Sequence, residues 1–260
     1  MKKSKIKLKS SAEIEIMFKG GKILDTVVDQ AIEMIKPGVK AQEVNDLVIK
    51  LIKKNGGRPS FEGYTTDWAP IAFPSAVCIS INEEVVHGFA SSNKIFNDGD
   101  VVGVDIGMEY QGLFTDMAKT TIVGSADKKI TNLVKVTKQA LFNGIEAIRP
   151  GNHISDISRA IEDTIKTSGF TVVRELVGHG VGYAVHEPPQ VPNYVDDDID
   201  DFELKEGMCL ALEPMVNVGG WEVENLDDGW TIVTKDGSIS AHFEHTVAVT
   251  KNGYKILTKN

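Results

Sequence analysis

Ile35-Lys36-Pro37-Gly38 and Ile148-Arg149-Pro150-Gly151 are one short signal met twice, and each stands between two apolar repeats of helical period. Before the first, Ser10 and Glu13 have capping-box spacing. Ile14, Met17, Phe18, Leu24, Val28, Ala31, Ile32 and Ile35 then recur at helical intervals until the Pro-Gly pair stops the run. After it, Val44, Leu47, Val48, Leu51 and Ile52 predict a second helix that ends at Asn55-Gly56-Gly57. The second signal is framed in the same way. Ile130, Leu133, Val134, Leu141, Ile145 and Ile148 precede it, and Ile154, Ile157, Ala160, Ile161 and Ile165 follow as far as Ser168-Gly169.

β-rich segments come after each helix pair: Val77–Ile81, Val101–Met108 and Thr115–Val123, then Met208–Leu212, Trp230–Val233 and Glu244–Thr250. Helices, strands, helices, strands is the order of an α+β sheet covered by helices, not of alternating βαβ units. The likeness of the halves reaches into the strands. Gly99 precedes Asp105 by the same interval that separates Gly207 from Glu213, and Asp116 and Glu244 each open a short strand of small and β-branched residues. We therefore expect a duplicated α/β unit about a pseudo-two-fold axis, with a central antiparallel sheet on which the paired acids converge.

At 260 residues, 42% of them hydrophobic, the chain can bury a large core. Residues 11–260 are expected to form a single domain behind a lysine-rich start, 1–10. A net charge of -9 argues against a general nucleic-acid binder, which needs a basic surface, and no specific DNA contact is expected. Lys2, Lys3, Lys5, Lys7 and Lys9 make one basic patch. It reads as a solvated, partly frayed start, or as a weak contact for an anionic partner such as RNA. No apolar run of signal-peptide length follows it, and no stretch approaches the ~20 apolar residues of a membrane span. Cys78 and Cys209 are too few for a disulfide framework and lack zinc-site spacing. The cytoplasm is the expected compartment.

Asp105 interrupts Val101-Val102-Gly103-Val104-Asp105-Ile106, and Glu213 ends Met208-Cys209-Leu210-Ala211-Leu212-Glu213, so each puts a carboxylate where the pattern predicts burial. By strand alternation Phe114, Asp116, Ala118 and Thr120 share one face, and His242, Glu244, Thr246 and Ala248 another. A buried, unpaired carboxylate costs several kcal/mol. One such acid alone reads as salt-bridged or solvated. Four of them, matched across a duplication and with few cationic neighbours, point to metal counter-charges. Four negative charges balance two dications, and carboxylates with a histidine nitrogen suit first-row divalent metals. Metal pairs about 3.5 to 4 Å apart recur in hydrolases, where they hold a water as hydroxide near neutral pH.

The nitrogen is best sought at His179 in Gly178-His179-Gly180-Val181-Gly182, whose glycines let backbone and a bound group come close. That string fits neither GxGxxG nor GxxxxGK[ST]. His186, in His186-Glu187-Pro188-Pro189, and His87, beside Gly88, are further candidates, although a lone histidine is ordinarily a surface or core residue. The acidic run Asp196–Asp201 lacks the glycine and glutamate of an EF-hand and reads as a solvated loop.

Taken together, VGVDIG (102–107), FTDMAKT (114–120), GHGVG (178–182), HEPPQVPNY (186–194), LEPMVN (212–217) and DGWTIVTKDGSISAHFEHT (228–246) resemble the type I methionine aminopeptidases along nearly the whole chain. The resemblance implies a pita-bread (creatinase/aminopeptidase) fold. It implies two divalent metal ions, cobalt, manganese or iron with zinc and nickel as alternatives, on Asp105, Asp116, His179, Glu213 and Glu244. His87 and His186 would be catalytic, substrate-contacting histidines, and Glu213 a proton carrier. The activity implied is removal of the initiator methionine from nascent polypeptide N-termini whose second residue is small, by hydroxide held on the metal pair. Phe73, Cys78 and Trp230 would line the methionine pocket, and Asn82, Glu84 and Ser240 match positions that hold a monovalent cation through backbone oxygens. A monomer is expected, and the lysine-rich start leaves a transient ribosome contact open.

Two features depart from the family pattern. The stretch Thr65–Ala72 is longer than usual, which counts against Tyr64 as a pocket wall, and Val185 stands where an aromatic is common, which opens that edge. Aminopeptidase P and prolidase share the fold but usually carry an extra N-terminal domain, whereas the first helical repeat here begins near Ser11. Type II enzymes carry a long insertion for which the span from His186 to Glu213 leaves little room. A non-catalytic relative is expected to have lost ligands, and all five are present.

Overall fold

The computed structural model describes residues 6–196 and 198–260. Four long helices, α1 (Ser11–Met34), α2 (Ala41–Lys54), α3 (Lys128–Glu146) and α4 (Ile154–Lys166), stand where the apolar repeats place them. The start of α1 is the expected capping box: Glu13 N donates to Ser10 Oγ at 3.3 Å, and Ser10 N donates to the Glu13 carboxylate at 2.7 Å. Asp127 caps α3 by accepting from Ile130 N at 2.9 Å. Leu24, Val28, Val44, Val48 and Ile52 of α1 and α2 pack with Ile79, Val104 and Ile106 of the first-half strands. Leu133, Leu141, Ile157 and Ile161 of α3 and α4 pack with Leu210, Leu212, Val247 and Val249 of the second. Each such side chain contributes about 1.5–3 kcal/mol on burial, so the apolar faces hold the helices on the sheets.

Every strand pairing among the described residues is antiparallel. In the first half Val101–Tyr110 lies between Leu113–Ile122 on one side and Cys78–Ile81 with Arg58–Pro59 on the other. In the second the order is Gly253–Ile256, His245–Thr250, Cys209–Leu212, Gly178–Gly180, Glu187–Val191. Two small three-stranded sheets complete the chain, built from strands of two or three residues that are too short to show alternation.

The duplication is written in hydrogen bonds. Gly38 N donates to Phe96 O (2.8 Å) as Gly151 N does to Leu204 O (3.1 Å), and Gly99 N to Val123 O (2.8 Å) as Gly207 N to Val249 O (3.0 Å). Gly38 and Gly151 turn the chain at φ +88° and +90°, where a side chain would be strained. The two halves meet edge to edge. Glu244 N donates to Ala118 O at 2.9 Å, and two hydroxyls extend the seam. Thr120 Oγ1 donates to His242 O and accepts from His242 N (2.6 and 2.9 Å); Thr246 Oγ1 does the same for Asp116 (2.8 and 2.9 Å). Thr120 thus corresponds to Thr246 and Val123 to Val249, a register two residues away from the sequence match. Asp105 still answers to Glu213, but the counterpart of Glu244 is Ala118 and that of Asp116 is His242.

The lysine-rich start is more engaged than expected. Lys9 N donates to Gly207 O at 2.8 Å, its ammonium is buried in an ion pair with Glu187, and Lys7 lies 5.7 Å over the Tyr183 ring. Lys2, Lys3 and Lys5 lie outside the described residues. No helix among those described is long and apolar enough to cross a membrane.

Candidate metal centre and pocket

Asp105 sits mid-strand between Cys78 and Ala118 on its two neighbours. Asp116 lies within Leu113–Ile122 rather than opening a strand, because Leu113, Phe114 and Thr115 extend the hairpin. Glu213 directly follows Cys209–Leu212, Glu244 directly precedes His245–Thr250, and His179 is the middle of Gly178–Gly180. These five come together on one cavity of about 350 Å³. Ligand atoms of Asp116, His179 and Glu244 all lie within 4.8 Å of one another, and His179 Nε2 is 3.5 Å from Glu213 Oε1. The glycines beside His179 serve close approach. A Cβ on Gly178 would stand 2.4 Å from Ala211 O, and one on Gly180 2.3 Å from Pro188 O.

Burial dominates the electrostatics. It lifts the Asp116 carboxyl to about 7, with the Glu213 charge adding, and Glu213 to about 8. Asp105 and Glu244 are raised well above the usual range by burial and then by their fellow carboxylates. Burial also depresses the imidazoles: His179 to about 3, His87 to about 4, His242 to about 3. Acids that lack a positive partner and histidines that stay neutral are together the donor set of a divalent cation site. Asp105 Oδ1 and Glu244 Oε1 are buried without a hydrogen-bond partner, and an unsatisfied buried group costs about 1–3 kcal/mol. His179 Nδ1 lies 2.9 Å from Gly180 O, so Nδ1 carries the proton and Nε2 turns its lone pair to the acids. The residues fit a pair of divalent ions.

His87 and His186 line the same cavity. His186 Nδ1 is 2.8 Å from the Tyr64 hydroxyl, and its ring stands 4.5 Å from that of His179. His87 has a left-handed backbone, φ 60°, a strained conformation of the kind that gathers at functional sites. Phe73, Cys78 and Trp230 pack with Phe61 and Val185 in one apolar cluster, and all but Val185 reach the cavity. Tyr64 also lines it, contrary to the expectation from the longer loop. The base of that stretch is closed, since Phe73 N donates to Tyr64 O at 2.8 Å, and this keeps Tyr64 at the cavity.

By strand alternation His242 shares the face of Glu244, but nothing in the sequence gives it a role. Its Nε2 is buried, has no hydrogen-bond partner, and lies 3.6 Å from Glu213 Oε2. Trp68, within the long loop, lines the cavity as well and carried no signal beyond its place in that insertion. The Asn82 carbonyl is bonded by Ser240 N at 2.9 Å, which brings two of the three expected cation-holding residues together. Acids at 196–201 are engaged locally: Asp201 accepts from Ser155 at the start of α4, and Asp196 from Tyr194, while Asp197 lies outside the described residues.

Residues 15–251 match the model of metallopeptidase family M24. This chain belongs to the M24 metallopeptidases. The M24 chain is 42% identical to the methionine aminopeptidase of Clostridium perfringens over 96% of its own length and 98% of that protein's. It is 43% identical to that of Aquifex aeolicus over 98% and 99%. A crystal structure of the Thermotoga maritima methionine aminopeptidase superposes with TM-score 0.93 at 45% identity, covering 98% of this chain and all of that one. Prolidase from Pyrococcus furiosus shares the fold at TM-score 0.74 and 29% identity, but only 65% of its chain is covered. This M24 peptidase is thus a metalloaminopeptidase by its relatives, with the pita-bread fold expected from its motifs.

Proposed function

We propose that this M24 peptidase is a methionine aminopeptidase that removes the first methionine from peptides and nascent chains whose second residue is small. The observation that carries the reading is one cavity lined both by the acids with His179 and by Phe61, Phe73 and Trp230, with Cys78 opposite Asp105 in the sheet. The acids suit cations that hold a free amino group, and the apolar lining suits an unbranched thioether, which packs well against aromatic rings. Near-complete coverage of relatives so named supports it.

Asp105, Asp116, His179, Glu213 and Glu244 would hold two divalent ions, cobalt, manganese or iron. When bound, such a pair polarises the scissile carbonyl and acidifies a water. The protein's own residues do the rest. With the Tyr64 hydroxyl donating to His186 Nδ1, Nε2 carries a proton to offer the carbonyl oxygen as charge develops there. His87, kept neutral by burial, faces the departing nitrogen. Glu213 carries a proton on a carboxylate oxygen between attacking water and leaving amine. A monovalent cation on backbone oxygens of Asn82, Glu84 and Ser240, a cytoplasmic monomer acting through residues 11–260, and a ribosome contact through Lys2, Lys3 and Lys5 belong to the same reading.

The test is to strip the protein with chelator, restore manganese, cobalt or iron separately, and compare Met-Ala-Ser, Met-Lys-Ser and Ala-Pro-Ala. Metal-dependent cleavage of Met-Ala-Ser alone is expected. Preference for Ala-Pro-Ala, or cleavage without metal, overturns the assignment.

A further inference from the structure

Among the described residues, Trp68 is the one large hydrophobic side chain that both lines the cavity and keeps more than half of its surface in solvent, at 55% exposed. It belongs to the long stretch Thr65–Ala72. That loop is tied down. Its base is closed by Phe73 N to Tyr64 O (2.8 Å) and Gly63 N to Phe73 O (2.9 Å), and Ile71 O accepts from the Trp230 indole at 2.8 Å. Pro70 occupies the space a side chain on Gly229 would need, since a Cβ there would lie 2.5 Å from Pro70 Cδ. Loop and Trp230 turn are therefore registered against each other. The Trp68 ring stands edge-on to Trp230 at 4.8 Å and stacks on His87 at 6.4 Å with the planes 25° apart.

On the aminopeptidase reading, on which this inference rests, the amino end lies at the acids and the scissile nitrogen at His87. Residues after that bond must leave over whatever stands on the solvent side of His87. An extended chain advances about 3.3–3.6 Å per residue, so the 6.4 Å from His87 to Trp68 spans about two residues. We infer that Trp68 is a specificity residue whose exposed indole packs against the second and third residues of the substrate. The inserted loop thereby makes peptide length, and apolar surface at the third position, part of what the enzyme reads.

Metal-loaded wild type, Trp68→Ala and Trp68→Phe are compared on amides of Met-Ala, Met-Ala-Ser and Met-Ala-Leu-Ser. In wild type kcat/KM rises with length. In Trp68→Ala the ratio of tetrapeptide to dipeptide kcat/KM falls about tenfold, mainly through KM, and Trp68→Phe restores most of it. As a readout apart from turnover, Met-Ala-Leu-Ser with a reduced first bond shifts tryptophan emission to the blue in wild type and far less in Trp68→Phe. The same length dependence in wild type and Trp68→Ala, with no difference in emission, overturns the inference alone. Wild type that cleaves no methionyl peptide overturns the aminopeptidase reading and the inference with it.

Discussion

Asp116 is held at both of its main-chain atoms by one hydroxyl, that of Thr246, and its Oδ1 accepts from Met117 N at 3.0 Å. Its carboxylate therefore arrives at the cavity already aimed. Asp116→Ala is expected to lose metal, read by elemental analysis after dialysis, and to lower turnover of Met-Ala-Ser by roughly a thousandfold or more. His242 meets the site differently, its Nε2 standing 3.6 Å from Glu213 Oε2, and is expected to act as a positioning residue. His242→Ala is expected to lower kcat by roughly 10- to 100-fold while most of the bound metal stays, and His242→Gln, which keeps a donor, to recover part of it. Loss of metal equal to that in Asp116→Ala would make His242 a ligand instead.

Between elements, the site depends on how closely strands can lie. Gly178–Gly180 runs between Cys209–Leu212 and Glu187–Val191, and Gly178→Ala would press a methyl into the Ala211 carbonyl. A loss of about 1–3 kcal/mol in urea denaturation is expected, together with weaker metal binding as His179 is displaced. The sequence showed these glycines and this histidine, but not the strand they form, because three residues carry no alternation. The long elements were legible for the opposite reason: α1 to α4 are each amphipathic over many residues with clear stops. The acids were legible because a carboxylate in an apolar run has to be explained. Tyr64 and Trp68 were not, since their place depends on how a loop of irregular backbone closes. The two-residue offset of Asp116 from Glu244 was hidden too, because hydrogen bonds, not residue likeness, fix the register.

Across the molecule, the buried acids and histidines make metal-free stability depend on pH in a particular way. Folded values of about 7 for Asp116 and 8 for Glu213 lie above the ordinary 3.8 and 4.5, so the folded state holds their protons longer and stability falls as pH rises through these values. His87, His179 and His242, depressed to about 4, 3 and 3 from 6.5, work oppositely, adding stability as pH rises toward 6.5. Above 6.5 only the acids still titrate. The melting temperature of the metal-free protein is therefore expected to fall between pH 6.5 and 8, and the fall to vanish with manganese present; a flat metal-free profile there would contradict it. The seam between the halves has one more consequence. Four carboxylates spread evenly about a two-fold axis would accept a peptide from either of two opposed directions. Here Ser80, opposite Gly103, stands where His179 stands opposite Ala211. That imidazole and the two-residue offset of Asp116 from Glu244 together break the tie, so a centre assembled from two similar halves has a front and a back, and a polypeptide is expected to thread into it only one way round.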